Sequence, residues 1–200
     1  MSLDSTQHQA QVSILVLFYS RHGTIQNIAN QIARGIRSIK GCDAKLRTVP
    51  EIAIAGEDAC HVQSDTLEVS LEDLKTCDGL ALGAPVWFGA MPAAMKHFWD
   101  QSSALWLRGD LIDKPACVFT ASSSPRGGQE VNLQGLMQPL FHHGMLVMGI
   151  PYSEPELHSS LQGGTPYGAS MTQGAQDSQS SHLAFTLGQR LARAAIALKP

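Results

Sequence analysis

Strand and helix alternate five times along this chain, and that alternation predicts an α/β fold: a parallel sheet with helices on both faces. Two observations carry the expectation. The opening run "VSILVLFY" is continuously apolar and rich in β-branched and aromatic residues, as a strand buried on both faces requires. Directly after it the apolar residues recur at helical spacing, and the same switch repeats further on. A length of 200 residues suffices for one domain with a substantial core.

The elements follow in order. Beyond the polar turn "SRHGTI", Ile25, Ile28, Ala29, Ile32, Ala33, Ile36 and Ile39 share one helical face, with Arg34, Arg37 and Lys40 late in the helix. Gly41 is expected to stop it. "AKLRTV" then reads as a shorter second strand, closed by Pro50. "GLALGA", "PACVFTA" and "MLVMGI" read as three further strands, preceded by the helices "LEDLKT", "PAAMKHFWDQ" and "VNLQGLMQPLFHH". "SHLAFTLGQRLARAAIAL" is the last helix. Residues 1–12 read as a polar tail and residues 13–199 as a single domain. Two stretches, roughly 50–70 and 151–178, break the alternation and are expected to be site walls or subunit contacts.

Composition narrows the function classes. Apolar residues make up 44% and charged residues 16%, which excludes a disordered chain and a membrane protein. A net charge of −3 offers no basic footprint for nucleic acid. Cys42, Cys60, Cys77 and Cys117 form no C-x-x-C and no zinc spacing, so they read as reduced thiols and no metal site is expected. No stretch is apolar for long enough to span a bilayer, and the N-terminus does not read as a secretory signal, so a cytoplasmic location is expected.

In an open α/β sheet, ligands sit beyond the carboxyl ends of the strands. "SRHGTI" lies there, at a helix N-terminus whose free N–H groups suit a phosphate. Ser20 and Thr24 add hydroxyls, and Gly23 lets the backbone close tightly. The turn lacks the lysine of a Walker A loop and supplies only one glycine of a dinucleotide fingerprint. A monophosphate held by hydrogen bonds fits it; so does an ordinary strand–helix connection with a serine cap. The next two strand ends add "GAPVWFGAMP", with the flat faces of Trp87 and Phe88, and "TASSSPRGGQE", with Ser122, Ser123, Ser124, Pro125, Arg126 and Gly127. Three such loops on one rim describe a flavin site.

These pieces, together with "HHGM", "GIPYSEPEL" and "GGTPYGAS", resemble the WrbA-type NAD(P)H:quinone oxidoreductases of the flavodoxin-like superfamily, over most of the chain. The resemblance implies a five-stranded parallel sheet of order 2-1-3-4-5. It also implies noncovalent FMN, NADH or NADPH as reductant, a quinone as the second substrate, and a homotetramer with sites near subunit contacts. Carried over by motif, Ser20, Arg21, His22, Gly23, Thr24 and Ile25 would surround the FMN phosphate. Val86, Trp87 and Phe88 would lie along the isoalloxazine, and Ser122 to Gly127 would contact ribityl and ring atoms. His142 would approach the flavin as the catalytic residue; at a helix end before Gly144 it also reads as a plain C-terminal cation. Trp106 would border the substrate pocket, and His22 would lie near the nicotinamide. Where the family commonly reads P-T-R-F-G-N, this chain has "PVWFGA", which replaces an arginine and two hydrogen-bonding side chains. A flavodoxin-like one-electron carrier and a noncatalytic binding module are the competing readings. The balanced charge argues against the carrier, which needs an acidic docking surface.

Overall fold

The computed structural model describes residues 11–52, 65–174 and 178–199. Its strands are β1 (Val12–Phe18), β2 (Cys42–Thr48), β3 (Gly79–Pro85), β4 (Pro115–Ser122), β5 (Leu146–Val147) and β6 (Ala169–Thr172). The helices are α1 (Thr24–Arg37), α2 (Leu71–Thr76), α3 (Ala93–Asp100), α4 (Ser103–Arg108), α5 (Gln129–His142), α6 (Glu156–Ser159) and α7 (Ser178–Leu198). The strands pair in parallel, in the order β2-β1-β3-β4-β5, which is the order the resemblance implies.

The continuous apolar character of β1 has a direct cause. Successive side chains of a strand point to opposite faces. Ile14, Val16 and Phe18 enter a core with Ile28 and Ile32 of α1 and Leu187 and Leu191 of α7. Leu15, Leu17 and Tyr19 enter a second core with Leu74 of α2, Phe98 and Trp99 of α3, and Leu133 and Leu136 of α5. Burying both faces leaves no position for a polar residue from Ile14 to Phe18. On the first face the two helices touch through glycine: a Cβ on Gly35 would strike the Phe185 carbonyl, and one on Gly188 the Ile32 carbonyl.

Three elements depart from the expectation. Helix α1 ends at Arg37, so Ile39 and Lys40 fall in a turn that Gly41 completes with φ of 85°. The Cys42 N–H closes that turn on the Ile39 carbonyl. The sequence pattern does not predict helix α4 between α3 and β4; Gly109, in the left-handed region, ends it. The fifth strand is the largest difference. "MLVMGI" contributes only Leu146–Val147, paired with Pro115–Ala116. The chain then leaves the sheet and returns as β6, which fills the same edge beside Phe119–Ser122. Glycines permit the return: a Cβ on Gly149 would strike the Pro166 carbonyl, and one on Gly168 the Val118 carbonyl.

Residues 53–64 of the unassigned 50–70 stretch, with Cys60, lie outside the described residues, as do residues 1–10 of the expected tail. Cys42, Cys77 and Cys117 are free and buried. Burial pushes the Cys77 thiol up to about 11 and that of Cys117 up to about 12, which removes both from thiolate chemistry. Among the described residues no helix is long and apolar enough to cross a membrane.

Candidate functional site

The carboxyl ends of β1, β3 and β4 meet at one rim, because β1 pairs with β3 and β3 with β4 in parallel register. Each end continues into a short loop. The first loop runs into α1 through Gly23, whose φ of 81° only glycine adopts without strain. The first bond of the helix is Asn27 N–H to the Gly23 carbonyl at 2.9 Å, so the N–H groups of Thr24 and Ile25 precede the ladder. Buried Ser20 accepts from Gln26 N–H at 3.3 Å and anchors the turn beneath them. With no acidic residue in its first turn, α1 presents an uncompensated positive end.

The second loop begins where Val86 N–H meets the Ala121 carbonyl at 2.9 Å. Trp87 and Ala90 then exchange both backbone bonds across a two-residue turn, at 2.9 and 3.0 Å. Phe88 and Gly89 occupy that turn with φ of 52° and 81°. A left-handed Phe is strained, and Phe88 is also fully exposed, which holds its ring out from the rim. The third loop is shaped by Ser122, whose hydroxyl donates to the Ser124 carbonyl at 2.6 Å and accepts from Gln129 Nε2 at 3.0 Å. Gly127 is required there, since a Cβ would come within 2.7 Å of the Ser122 Cβ. Beneath the second and third loops sits a buried polar knot. Asn132 Nδ2 donates to Thr120 Oγ1 at 2.7 Å and to the Ala84 carbonyl at 3.2 Å, and Thr120 Oγ1 donates to the same carbonyl at 2.7 Å. It ties α5 to the ends of β3 and β4.

Between the loops lies a cavity of about 260 Å³. Ser20, Arg21, His22, Thr24, Ile25, Val86, Trp87, Ser122 and Ser123 line it, from all three strand ends. Gln173, directly after β6, closes the far side and is fixed by its N–H to the Ser122 carbonyl at 2.8 Å. Sequence reasoning misses that residue, which stands in no motif, and misses Tyr19, which reads in the sequence only as the apolar end of the first strand. At about 260 Å³ the cavity is slightly below the roughly 300–1,000 Å³ usual for small-molecule sites.

Other expected site residues lie elsewhere. Phe88 does not line the cavity. Pro125 and Arg126 border a separate depression shared with Leu161, Gly163 and Gly164 of the insert between β5 and β6. Ser124 contributes its carbonyl to the loop's own bonds. Trp106 and His142 do come together, in a mostly apolar cleft of about 430 Å³ between α3, α4 and α5. His142 is the last residue of a 14-residue helix whose first residues abut the rim, which puts it about 20 Å from that end. Its neighbour His143 is structural: Ser102 donates to the Trp99 carbonyl, so the His143 Nε2–H is the donor in the 2.9 Å contact with Ser102. Burial, reinforced by the adjacent His142, holds the His143 imidazole below its ordinary value.

Tyr19 gives the rim a pH signature. Its hydroxyl donates to Glu51 Oε1 at 2.7 Å. Burial, then that bond, pushes its pKa up from 10.0 to about 12. A proton held more tightly in the folded state than in the unfolded one contributes stability fully below about pH 10, and that contribution disappears between about pH 10 and 12. Urea unfolding is therefore expected to show the wild type losing stability more steeply than Tyr19→Phe as the pH rises from about 9 to 11. Parallel slopes would remove Tyr19 from the account.

The chain matches the family model described as NADPH-dependent FMN reductase over residues 12–154. It is 39% identical over 173 residues to an NAD(P)H dehydrogenase (quinone) of Chromohalobacter salexigens, covering 83% of this chain and 86% of the relative. A protein of the same description from Acidithiobacillus ferrooxidans is 38% identical, covering 88% and 91%. Among solved structures, a flavodoxin, WrbA-like protein from Agrobacterium tumefaciens superposes with a TM-score of 0.70 at 22% identity, over 94% of this chain and 100% of its own. An archaeal flavodoxin superposes at 0.64 and 17%, over 92% and 99%. The two structural likenesses concern the fold alone. Because the family match runs from the first residue of β1 past β5 and takes in all three rim loops, the chain belongs to the NADPH-dependent FMN reductase family.

Proposed function

We propose that this chain is an FMN-dependent NAD(P)H:quinone oxidoreductase that reduces quinones to hydroquinones by two electrons. The observation that carries the reading is the single cavity to which β1, β3 and β4 each contribute a loop. Its residues fit FMN. The open N–H groups at the start of α1, with the hydroxyls of Ser20 and Thr24, suit the phosphate. Ser122 and Ser123 would border the polyol, and Val86 and Trp87 would offer apolar surface to one edge of the ring. The relatives of the same description bear the name of this activity, which supports the substrate pair.

Held by these residues, FMN would supply the redox chemistry, hydride transfer from NAD(P)H to the quinone. The protein binds and orients. With one rim cavity bordered by three loops, both substrates would use one face of the flavin in turn, a ping-pong cycle. His22 lies on the cavity wall beside Arg21 and would meet the nicotinamide. Trp106 and His142 line a cleft that is not the same chain's rim cavity, which supports a homotetramer in which the α3–α4–α5 cleft of one subunit faces the rim of another. The exposed side chains of Phe88, Trp106, Leu107 and Phe141 support such a contact. Within this reading residues 13–199 act as one cytoplasmic domain.

Titration with FMN followed by NADH or NADPH oxidation, with and without a benzoquinone, tests the proposal. The expected result is stoichiometric flavin binding and quinone-dependent turnover, with lines parallel in double-reciprocal plots. Flavin binding without nicotinamide oxidation under any acceptor would leave a binding module instead. Sedimentation at micromolar concentration tests the tetramer.

A further inference from the structure

The loops after β1 and β3 are joined by a cluster of Tyr19, Arg21, Glu51 and Trp87. Arg21 Cζ lies 4.7 Å from the centroid of the Trp87 ring. Tyr19 meets the same indole edge to face, with centroids 5.6 Å apart and planes at 86°. Tyr19 also takes the close contact with Glu51 at 2.7 Å, whereas Arg21 Nη2 stands 3.9 Å from the other carboxylate oxygen. Glu51 is therefore held more closely by the phenol than by the guanidinium. Among the residues that line the cavity, Arg21 carries the one permanent charge.

We propose that Trp87 is the positioning residue for Arg21, seating its guanidinium at the mouth of the cavity as the cation that reads the FMN phosphate. The inference rests on the FMN reading above. An unstacked arginine side chain samples many rotamers, and a stacked one retains few, so less ordering remains when an anion arrives. The face of an indole is the best aromatic seat for a guanidinium. A guanidinium has five N–H donors in a planar fork, and with a phosphate it forms charge-assisted bonds. This also gives a reason for "PVWFGA": the cation comes from the loop opposite, and the tryptophan holds it.

The test compares FMN with riboflavin, which has the same ring and no phosphate, by quenching of flavin fluorescence. Wild type, Arg21→Ala, Arg21→Lys, Trp87→Ala and Trp87→Phe are measured, with thermal melts to show that each is folded. Arg21→Ala is expected to raise the FMN dissociation constant about tenfold while riboflavin changes less than about twofold. Trp87→Ala, which keeps the charge and loses its seat, is expected to show the larger part of its loss on FMN. Trp87→Phe is expected to recover most of that part, because a phenyl face still holds the guanidinium. Arg21→Lys keeps a charge without the stack and is expected to fall between. Equal losses on both flavins, or none, in Arg21→Ala would overturn the inference. So would a Trp87→Ala loss as large on riboflavin as on FMN. A wild type that binds neither flavin overturns the FMN reading and this inference together, whereas tight FMN binding without phosphate selectivity in the variants overturns this inference alone.

Discussion

Thr24→Glu is expected to leave the fold intact or slightly firmer and to weaken FMN binding by at least about a hundredfold. Thr24 opens α1, and the first turn of that helix contains no acidic residue. A carboxylate at a helix N-terminus interacts favourably with the exposed N–H groups, contributing about 0.3–1 kcal/mol. The same carboxylate would occupy the wall of the cavity that Thr24 lines, beside the phosphate position. Two unit charges about 5 Å apart at an effective dielectric constant of about 20 repel by roughly 3 kcal/mol, and a phosphate dianion carries nearly twice that charge. The carboxylate also competes for the donors the phosphate needs. Thermal melting without flavin and fluorescence titration with it should therefore move in opposite directions. A Thr24→Glu variant that binds FMN within about threefold of wild type would show that the phosphate does not sit at this helix.

The opposite signs matter because most damaging substitutions at a site act through the fold. Here a gain in helix stability would accompany a loss of ligand, so neither effect can be taken for the other. The prediction also differs from that for Arg21, whose removal deletes an attraction and leaves the N–H groups of Thr24 and Ile25 free to bind.

Local pattern made the first half of the site legible. β1 and α1 were readable because a strand buried on both faces and a helix buried on one have unmistakable periods, and the turn between them must lie at the strand's carboxyl end. What was not legible depends on partners distant in sequence. The short run "ASMT" has no strand signal of its own; it becomes β6 because β5 stops at Val147 and leaves the edge of β4 open beside Phe119–Ser122. Gln173 reaches the cavity only through that pairing. The bond from Tyr19 to Glu51 spans 32 positions and is set by how the chain leaves β2. Trp106 and His142 illustrate the reverse case. Motif placed His142 at the flavin and Trp106 at the substrate pocket, and the geometry of one chain places both in a separate cleft, because motif carries no information about where α5 ends relative to the rim.

Asn132→Asp is expected to cost about 3–5 kcal/mol at neutral pH, more than Asn132→Leu, although it is the closer match in shape. Asn132 is fully buried in α5 and uses its amide nitrogen as donor to Thr120 Oγ1 and to the Ala84 and Pro85 carbonyls. Thr120 already donates to Ala84, so these oxygens have no proton to offer a carboxylate in return. Aspartate would set a negative charge among acceptors, with water excluded. Leucine removes the same donor and brings no charge, so its cost is confined to the lost bonds, about 1–3 kcal/mol. The two variants separate by pH. Burial would raise the pKa of the introduced carboxyl above that of the unfolded chain, so the penalty is least at low pH and grows as pH rises past about 4. Urea unfolding of both variants between about pH 4 and 7 should show them converging at the acid end. The knot lies directly under the loops after β3 and β4, so Asn132→Asp should also loosen FMN while Thr24→Glu loosens it without destabilising the fold. Equal stability of the Asp and Leu variants at neutral pH would mean that the amide at position 132 fills space in the core, and that the two loops owe their relative positions to the sheet alone.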